Sequence, residues 1–158
     1  MFLRDKIIHK EELSIDLIKE IHRELVKGTN DENRYERGKR VGEFKKHDYV
    51  AGKNEVGSYP DDVENDIADL VNEINDIQIS EDNCFMIAAY FHARFENIHP
   101  FADGNGRVGR TLLNYINMIN DIPPIMIYDE DKKYYYECLE KYDTDDELQS
   151  LEKFLNMN

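Results

Sequence analysis

The 158-residue sequence has only two cysteines, four prolines and no tryptophan. Cys84 and Cys138 are too few for the disulfide framework of a small secreted domain, and each lies in an apolar or amphipathic stretch typical of a buried, reduced thiol. No stretch reaches the roughly 18 uninterrupted apolar residues of a membrane-spanning helix, and residues 1–6 do not look like a secretion signal. The sequence therefore predicts a cytoplasmic protein, and leaves open a role as a secreted effector.

Basic residues are also scarce, because 20 Lys and Arg stand against 34 Asp and Glu and give a net charge of −14. An acidic surface repels phosphate backbones, so we expect neither nucleic acid nor a membrane as a partner. Residues 34–53 depart from this balance with seven basic and three acidic side chains, a local charge of +4. This segment suits an anionic ligand, although a solvated basic loop is the commoner explanation of such a run.

Apolar residues make up 41% of the sequence, which is enough for one hydrophobic core, and the length predicts a single domain over residues 1–158. Residues 28–60 contain five glycines and an alternating pattern that predicts a small β-hairpin near residues 45–58. The predicted fold class is all-α with this one small β element. Periodicity and capping residues predict helices from Ser14 to Gly28, from Pro60, from Ser80 through Phe95 as a central buried helix leading into His99, after Arg107 up to Pro123, and over 129–142 and 145–156.

The segment His99–Arg107, which directly precedes a predicted helix, is the most informative part of the sequence. Gly104 and Gly106 allow successive backbone N–H groups to converge on an anion at the start of that helix. Arg107 and Arg110 lie at the positive end of the helix dipole, which is unfavourable unless an anion balances their charge. A Gly-Asn-Gly triplet alone more often marks a tight turn, but the longer string favours a phosphate site.

The other polar side chains of the segment complete a site for a triphosphate. Asp103 offers the hard oxygen ligand that Mg²⁺ takes in addition to phosphates and water. Asn105 can donate its amide to a phosphate oxygen, and His99 is placed to take a proton from an incoming hydroxyl group. The residues thus predict a magnesium-bound nucleoside triphosphate beside a histidine base.

The string His-Pro-Phe-x-Asp-Gly-Asn-Gly-Arg-x-x-Arg at residues 99–110 resembles, at every defined position, the signature of the Fic (filamentation induced by cAMP) family. The resemblance covers about residues 14–155, and residues 49–58 look like the family's flap. It implies a protein adenylyltransferase, which transfers AMP from ATP to a Ser, Thr or Tyr hydroxyl of a target protein and releases pyrophosphate. It also implies that the flap holds the target by backbone pairing.

The resemblance assigns roles by position. It implies that His99 is the base and that Asp103 is the Mg²⁺ ligand. Tyr135 and Tyr136 resemble residues that line the base pocket, but plain helix packing explains them equally well. The phosphate-binding residues that it implies are Gly104, Asn105 and Gly106 as the cradle, with Arg107 and Arg110 on the β and γ phosphates.

The family's inhibitory helix, with Ser or Thr, three residues, then Glu followed by Gly or Asn, has no match in this sequence. We therefore expect no glutamate of this chain to restrain Arg110, and regulation by a separate inhibitory protein, as in a toxin–antitoxin pair, remains open. Transfer of another phosphate-containing group and a non-catalytic nucleotide-binding or partner-binding module also remain alternatives. His92 is interpreted as a core histidine rather than a catalytic or metal-binding one, and His9, His22 and His47 as incidental.

Overall fold

The computed structural model describes residues 2–28, 40–47, 50–51, 54–55 and 57–158. Within these ranges no helix combines the length and apolar character needed to cross a bilayer. The described elements confirm the predicted all-α fold with a small hairpin. They are α1 (Phe2–Ile8), α2 (Ile15–Val26), β1 (Val50–Ala51), β2 (Asn54–Glu55), α3 (Val63–Asn75), α4 (Cys84–Ile98), α5 (Asn105–Ile119), a 3-10 turn (Asp129–Asp131), α6 (Lys132–Asp145) and α7 (Gln149–Met157).

The start of α2 follows a local signal that the sequence carries. Ser14 caps α2, because its Oγ accepts a hydrogen bond of 3.1 Å from the N–H of Leu17. The predicted helix over 129–142 begins three residues later, after the 3-10 turn, and continues until Asp146 adopts a left-handed conformation with φ of 56°. Helix α1 was not predicted; it has no fully buried residue, but Phe2, Leu3 and Ile7 are half-buried and pack against the core.

Helix α4 is the central element, as predicted, and packs against α3, α5, α6 and α7. One side of α4, with Phe91 and Phe95, joins a core cluster that includes residues of α2, α3 and α5. Its other side, with Ala89 and Ala93, joins a second cluster with α6 and α7. Because both sides are buried, α4 is apolar nearly all round. Cys84 and Cys138 are buried free thiols, which confirms their interpretation.

The predicted hairpin is present as two antiparallel strands, with Val50 opposite Glu55 and Ala51 opposite Asn54. The rest of the predicted flap and of the basic segment is described only in part. Residues 29–39, 48–49, 52–53 and 56 lie outside the described residues.

Candidate active site

A left-handed residue separates the central helix from the signature loop. Helix α4 ends at Ile98, and His99 follows with φ of 51° and ψ of 61° while its N–H still donates to the carbonyl of Phe95 at 3.0 Å. A positive φ is uncommon for a residue other than glycine. Gly104, with φ of 82°, then caps α5, and a Cβ there would lie 2.9 Å from Cγ1 of Val26. The chain therefore reverses between two helices in a short loop, and only glycine fits its last position.

The loop and the first turns of α5 form one open pocket of about 350 Å³. Every residue that the sequence predicts to bind phosphate or Mg²⁺, or to accept the proton, lines this pocket. Its lining consists of His99, Ala102, Asp103, Gly104, Asn105, Gly106, Arg107 and Arg110. The structure thus brings the predicted loop residues together around a single space.

Asn105 holds the loop in shape. Its side chain is 3% exposed, its Oδ1 accepts a hydrogen bond from the N–H of Phe101, and its Nδ2 donates to the carbonyl of the same residue, both at 2.8 Å. This bidentate contact closes the loop over five residues. Donation to a phosphate stays a prediction that only the second hydrogen of Nδ2 can fulfil.

Among the described residues that line the pocket, Asp103 is the one carboxylate. Its Oδ1 accepts a hydrogen bond of 2.8 Å from the N–H of Gly104. In the part of the chain that the structure describes, no group of three or more His, Cys, Asp or Glu side chains could hold a metal by itself. A single carboxylate beside a phosphate cradle nevertheless fits Mg²⁺, which takes its other ligands from phosphates and water.

His99 is kept in its neutral form. Burial lowers the pKa of its imidazole, and the positive charge of Lys45 lowers it further. Lys45 is only 4% exposed, and its N–H donates to the carbonyl of Pro100 at 2.8 Å, which fixes its backbone against the loop. A neutral imidazole near pH 7 is the form that accepts a proton.

The end of the flap is attached to the residue that precedes this histidine. The N–H of Ser58 donates to the carbonyl of Ile98 at 3.0 Å. A Cβ at Gly57, whose φ is 83°, would lie 2.3 Å from that carbonyl oxygen and 2.6 Å from Cβ of His99. Only glycine allows this approach, so the position of the flap and that of His99 are linked.

Tyr135 and Tyr136 differ in their surroundings, and neither is among the residues that line the pocket. Tyr135 is 1% exposed and its hydroxyl shares a hydrogen bond with Nε2 of His92. A buried ring offers no face to a nucleobase, so helix packing describes Tyr135. Tyr136 is exposed, and its contact with a base stays a prediction.

A buried polar cluster that the sequence analysis did not identify lies behind Arg110. Glu96 of α4 packs so closely on α5 that a Cβ at Gly109 would lie 2.6 Å from its Oε1. Burial raises the pKa of Glu96 to about 7, against the opposing effect of the Arg110 charge. His92 is fully buried, and burial lowers its pKa to about 3, which agrees with its interpretation as an uncharged core histidine.

Glu96 therefore bears on the expectation that no glutamate of this chain restrains Arg110. The inhibitory motif is absent, but the fold supplies a carboxyl group close enough to Arg110 to interact with its charge. Gly109 inside a helix was the available signal, because such a glycine often marks a close approach of another element.

The expectation that His22 is incidental is wrong. Its ring stacks on Phe101 with centroids 3.8 Å apart and an interplanar angle of 1°, and its Nε2 lies 2.9 Å from the carbonyl oxygen of Asp103. His22 is one of the few buried polar side chains among the described residues. Its spacing of four residues from both Ile18 and Val26 on the buried face of α2 was the signal.

The model of the Fic/DOC family matches residues 12–117, which is more than half of the sequence and includes the pocket loop. The chain belongs to the Fic/DOC family. Among curated Fic proteins, protein adenylyltransferase fic-1 of Caenorhabditis briggsae is 32% identical over 140 residues, covering 87% of this chain and 26% of the relative. Protein adenylyltransferase Fic of Nematostella vectensis is 32% identical over 145 residues, covering 87% and 31%. The chain thus spans about a quarter to a third of the length of these relatives.

Solved Fic structures share the fold. A Fic domain containing signalling protein from Bacteroides thetaiotaomicron superposes with a TM-score of 0.77 at 26% identity, over 98% of this chain and 61% of its own. Fic-1 from Caenorhabditis elegans superposes with a TM-score of 0.75 at 27% identity, over 95% of this chain and 41% of its own. The Fic fold therefore extends to nearly the whole chain.

Proposed function

We propose that this chain is a protein adenylyltransferase that transfers AMP from ATP to a Ser, Thr or Tyr hydroxyl of a target protein. The observation that carries the proposal is the single pocket in which His99, Asp103, the glycine loop and both arginines meet. The names of the curated relatives support the same reaction.

In the proposed reaction, Nε2 or Nδ1 of neutral His99 takes the proton of the target hydroxyl as its oxygen attacks the α phosphorus of ATP. The new oxygen–phosphorus bond forms as the bond from the α phosphorus to the bridging oxygen breaks, and pyrophosphate leaves with that electron pair. Burial beside Lys45 supports the role of base, because it keeps the His99 imidazole unprotonated.

The arginines and the loop bind the nucleotide phosphates. Mg²⁺ held by Asp103 would neutralise phosphate charge. Gly106 lies beside Arg110, since a Cβ there would lie 3.1 Å from Nη1 of that side chain. Arg107 is exposed and donates to the carbonyl of Leu25 at 3.3 Å, a weak contact that it can exchange for the β phosphate. We assign the γ phosphate to Arg110.

The partners follow from the same proposal. The hairpin strands pair only with each other among the described residues, so an outer strand edge can receive an extended segment of the target. We place the protein in the cytoplasm, and we propose that a separate inhibitory protein, such as an antitoxin, controls Arg110 where control is needed.

Labelled ATP tests the reaction. With Mg²⁺ and a cell lysate, the chain should transfer label to protein from α-labelled ATP but not from γ-labelled ATP, and His99→Ala should abolish the transfer. Label from γ-labelled ATP would instead identify phosphate transfer. Nucleotide binding without pyrophosphate release in any lysate would identify a non-catalytic module.

A further inference from the structure

Three contacts from outside and within the loop fix the backbone between Pro100 and Gly104. The backbone N–H of Lys45 donates to the carbonyl of Pro100, and the side chain of Asn105 bonds both the N–H and the carbonyl of Phe101. The third contact comes from His22 of α2, which is 81 residues away from Asp103 in sequence. This third contact is the only one of the three that acts on the residue whose carboxylate lines the pocket.

The two hydrogen-bond partners of His22 fix its tautomer. The N–H of Gly42 donates to its Nδ1 at 2.9 Å, so Nδ1 is an acceptor. Nε2 therefore carries the hydrogen and donates to the carbonyl of Asp103 at 2.9 Å. Both nitrogens are occupied and the ring is stacked, so His22 takes no part in proton transfer.

Gly42 is adapted to this contact. Its φ is 74°, and a Cβ there would lie 2.8 Å from the guanidinium of Arg23. The positive φ is a backbone conformation that glycine adopts readily and other residues rarely do, so glycine suits the position that brings its N–H to His22. The segment before the flap, helix α2 and the signature loop are joined through the one imidazole.

We infer that His22 is a positioning residue for the metal and nucleotide site: by binding the Asp103 carbonyl, it orients that peptide unit and thereby the Asp103 carboxylate. The inference rests on the proposed function and extends it to a residue outside the signature. His22 acts through Asp103 and touches neither ATP nor the target. Its loss should weaken metal binding in the presence of nucleotide more than it weakens the fold.

The test measures binding without turnover. The probe is Mn²⁺, followed by electron paramagnetic resonance in the presence of the α,β-methylene analogue of ATP, which cannot release pyrophosphate. His22→Phe keeps the stack on Phe101 and loses both hydrogen bonds, and we expect Mn²⁺ affinity to fall on the order of tenfold, as loss of a buried hydrogen bond does. His22→Gln restores a donor and should recover part of this loss. The control is His9→Phe, at an exposed histidine, which should bind like wild type.

A double-mutant cycle separates positioning from general damage. In an Asp103→Ala background, His22→Phe should cause no further loss of Mn²⁺ affinity, because the carboxylate through which it acts is gone. An additional tenfold loss there, or wild-type affinity of the single His22→Phe variant, overturns the inference. Melting curves of each variant show whether it is folded. If His22→Phe does not fold, the same cycle is run with His22→Gln, which should show a smaller loss of Mn²⁺ affinity that is again absent in the Asp103→Ala background. Failure of the proposed function looks different: Mn²⁺ and the analogue bind, yet ATP gives no AMP transfer.

Discussion

At the scale of single residues, the protonation of His99 sets the pH at which the pocket can work. Because burial and the Lys45 charge lower the pKa of His99, activity should rise with pH to half its maximum below the ordinary histidine value of about 6.5. Lys45→Met removes the charge and should move this midpoint to higher pH. The measurement is kcat/KM against pH, with Lys46→Met, at the exposed neighbouring lysine, as control. An identical midpoint in wild type and Lys45→Met would contradict this electrostatic role.

The buried carboxyl of Glu96 should make stability depend on pH. Its pKa is about 7 in the folded chain against 4.5 unfolded, so the folded state binds more protons in this window and stability falls as pH rises through it. Glu96→Gln removes the cost of the buried charge and should raise the free energy of unfolding above pH 7 by about 1–3 kcal/mol, with little effect near pH 4.

Thermal unfolding at several pH values checks the Glu96 prediction. Glu140→Gln, at an exposed position of α6, is the matched control. Equal pH dependence in wild type and Glu96→Gln would show that Glu96 is ionised in the folded chain at little cost.

Residues of the pocket were predictable where they are contiguous in sequence, and not where the fold assembles them. The signature loop could be recognised from the sequence as a phosphate site because glycines, a carboxylate and arginines follow one another within twelve positions. His22, Lys45 and Glu96 act through contacts made by packing, and a buried histidine on an apolar helix face resembles an ordinary core residue. The burial that shifts the pKa values of His22 and Glu96 is a tertiary property, and the local signals at these positions do not reveal which groups they contact.

At the scale of elements, the position of the flap and that of the loop beginning at His99 both depend on Gly57. Gly57→Ala introduces a Cβ within 2.3 Å of the Ile98 carbonyl oxygen, so either the flap or His99 must move, and we expect AMP transfer to fall at least tenfold. Gly28→Ala is the matched control, because Gly28 has a φ of 82° and nothing within 4 Å of the added Cβ. It shares the backbone strain, worth about 1–2 kcal/mol, without the clash.

Transfer assays and melting curves on both variants separate strain from displacement. Both should lose some stability, and only Gly57→Ala should lose activity out of proportion to it. Equal effects in the two variants would mean that the flap end does not position His99.

The elements themselves were largely predictable from periodicity. Helices α2, α3 and α5 have strong apolar faces and α4 is apolar nearly all round, and the structure confirms all four; of these four, only α2 has a side-chain capping hydrogen bond. Helix α1 was not predicted because seven residues are too few to show a helical repeat of apolar positions, and the start of α6 was placed early because the acidic residues at 129–131 form a separate 3-10 turn. Sequence patterns record burial well and short turns poorly.

At the scale of the whole molecule, the pocket lies at the N-terminal end of α5, beside the central helix that joins the two core clusters. All residues proposed for catalysis and phosphate binding come from this one chain, although the chain spans only about a quarter to a third of its curated relatives. On the proposed function, this chain supplies the residues for AMP transfer, while the choice of target depends on surfaces beyond the pocket.

Mass spectrometry of cellular proteins after expression of the chain tests the central claim most directly. The proposed function predicts peptides that carry AMP on a Ser, Thr or Tyr hydroxyl in cells that express the wild-type chain. Cells that express His99→Ala at the same level should lack them. AMP-modified peptides of equal abundance in both, or phosphate in place of AMP on the modified hydroxyl, would contradict the account.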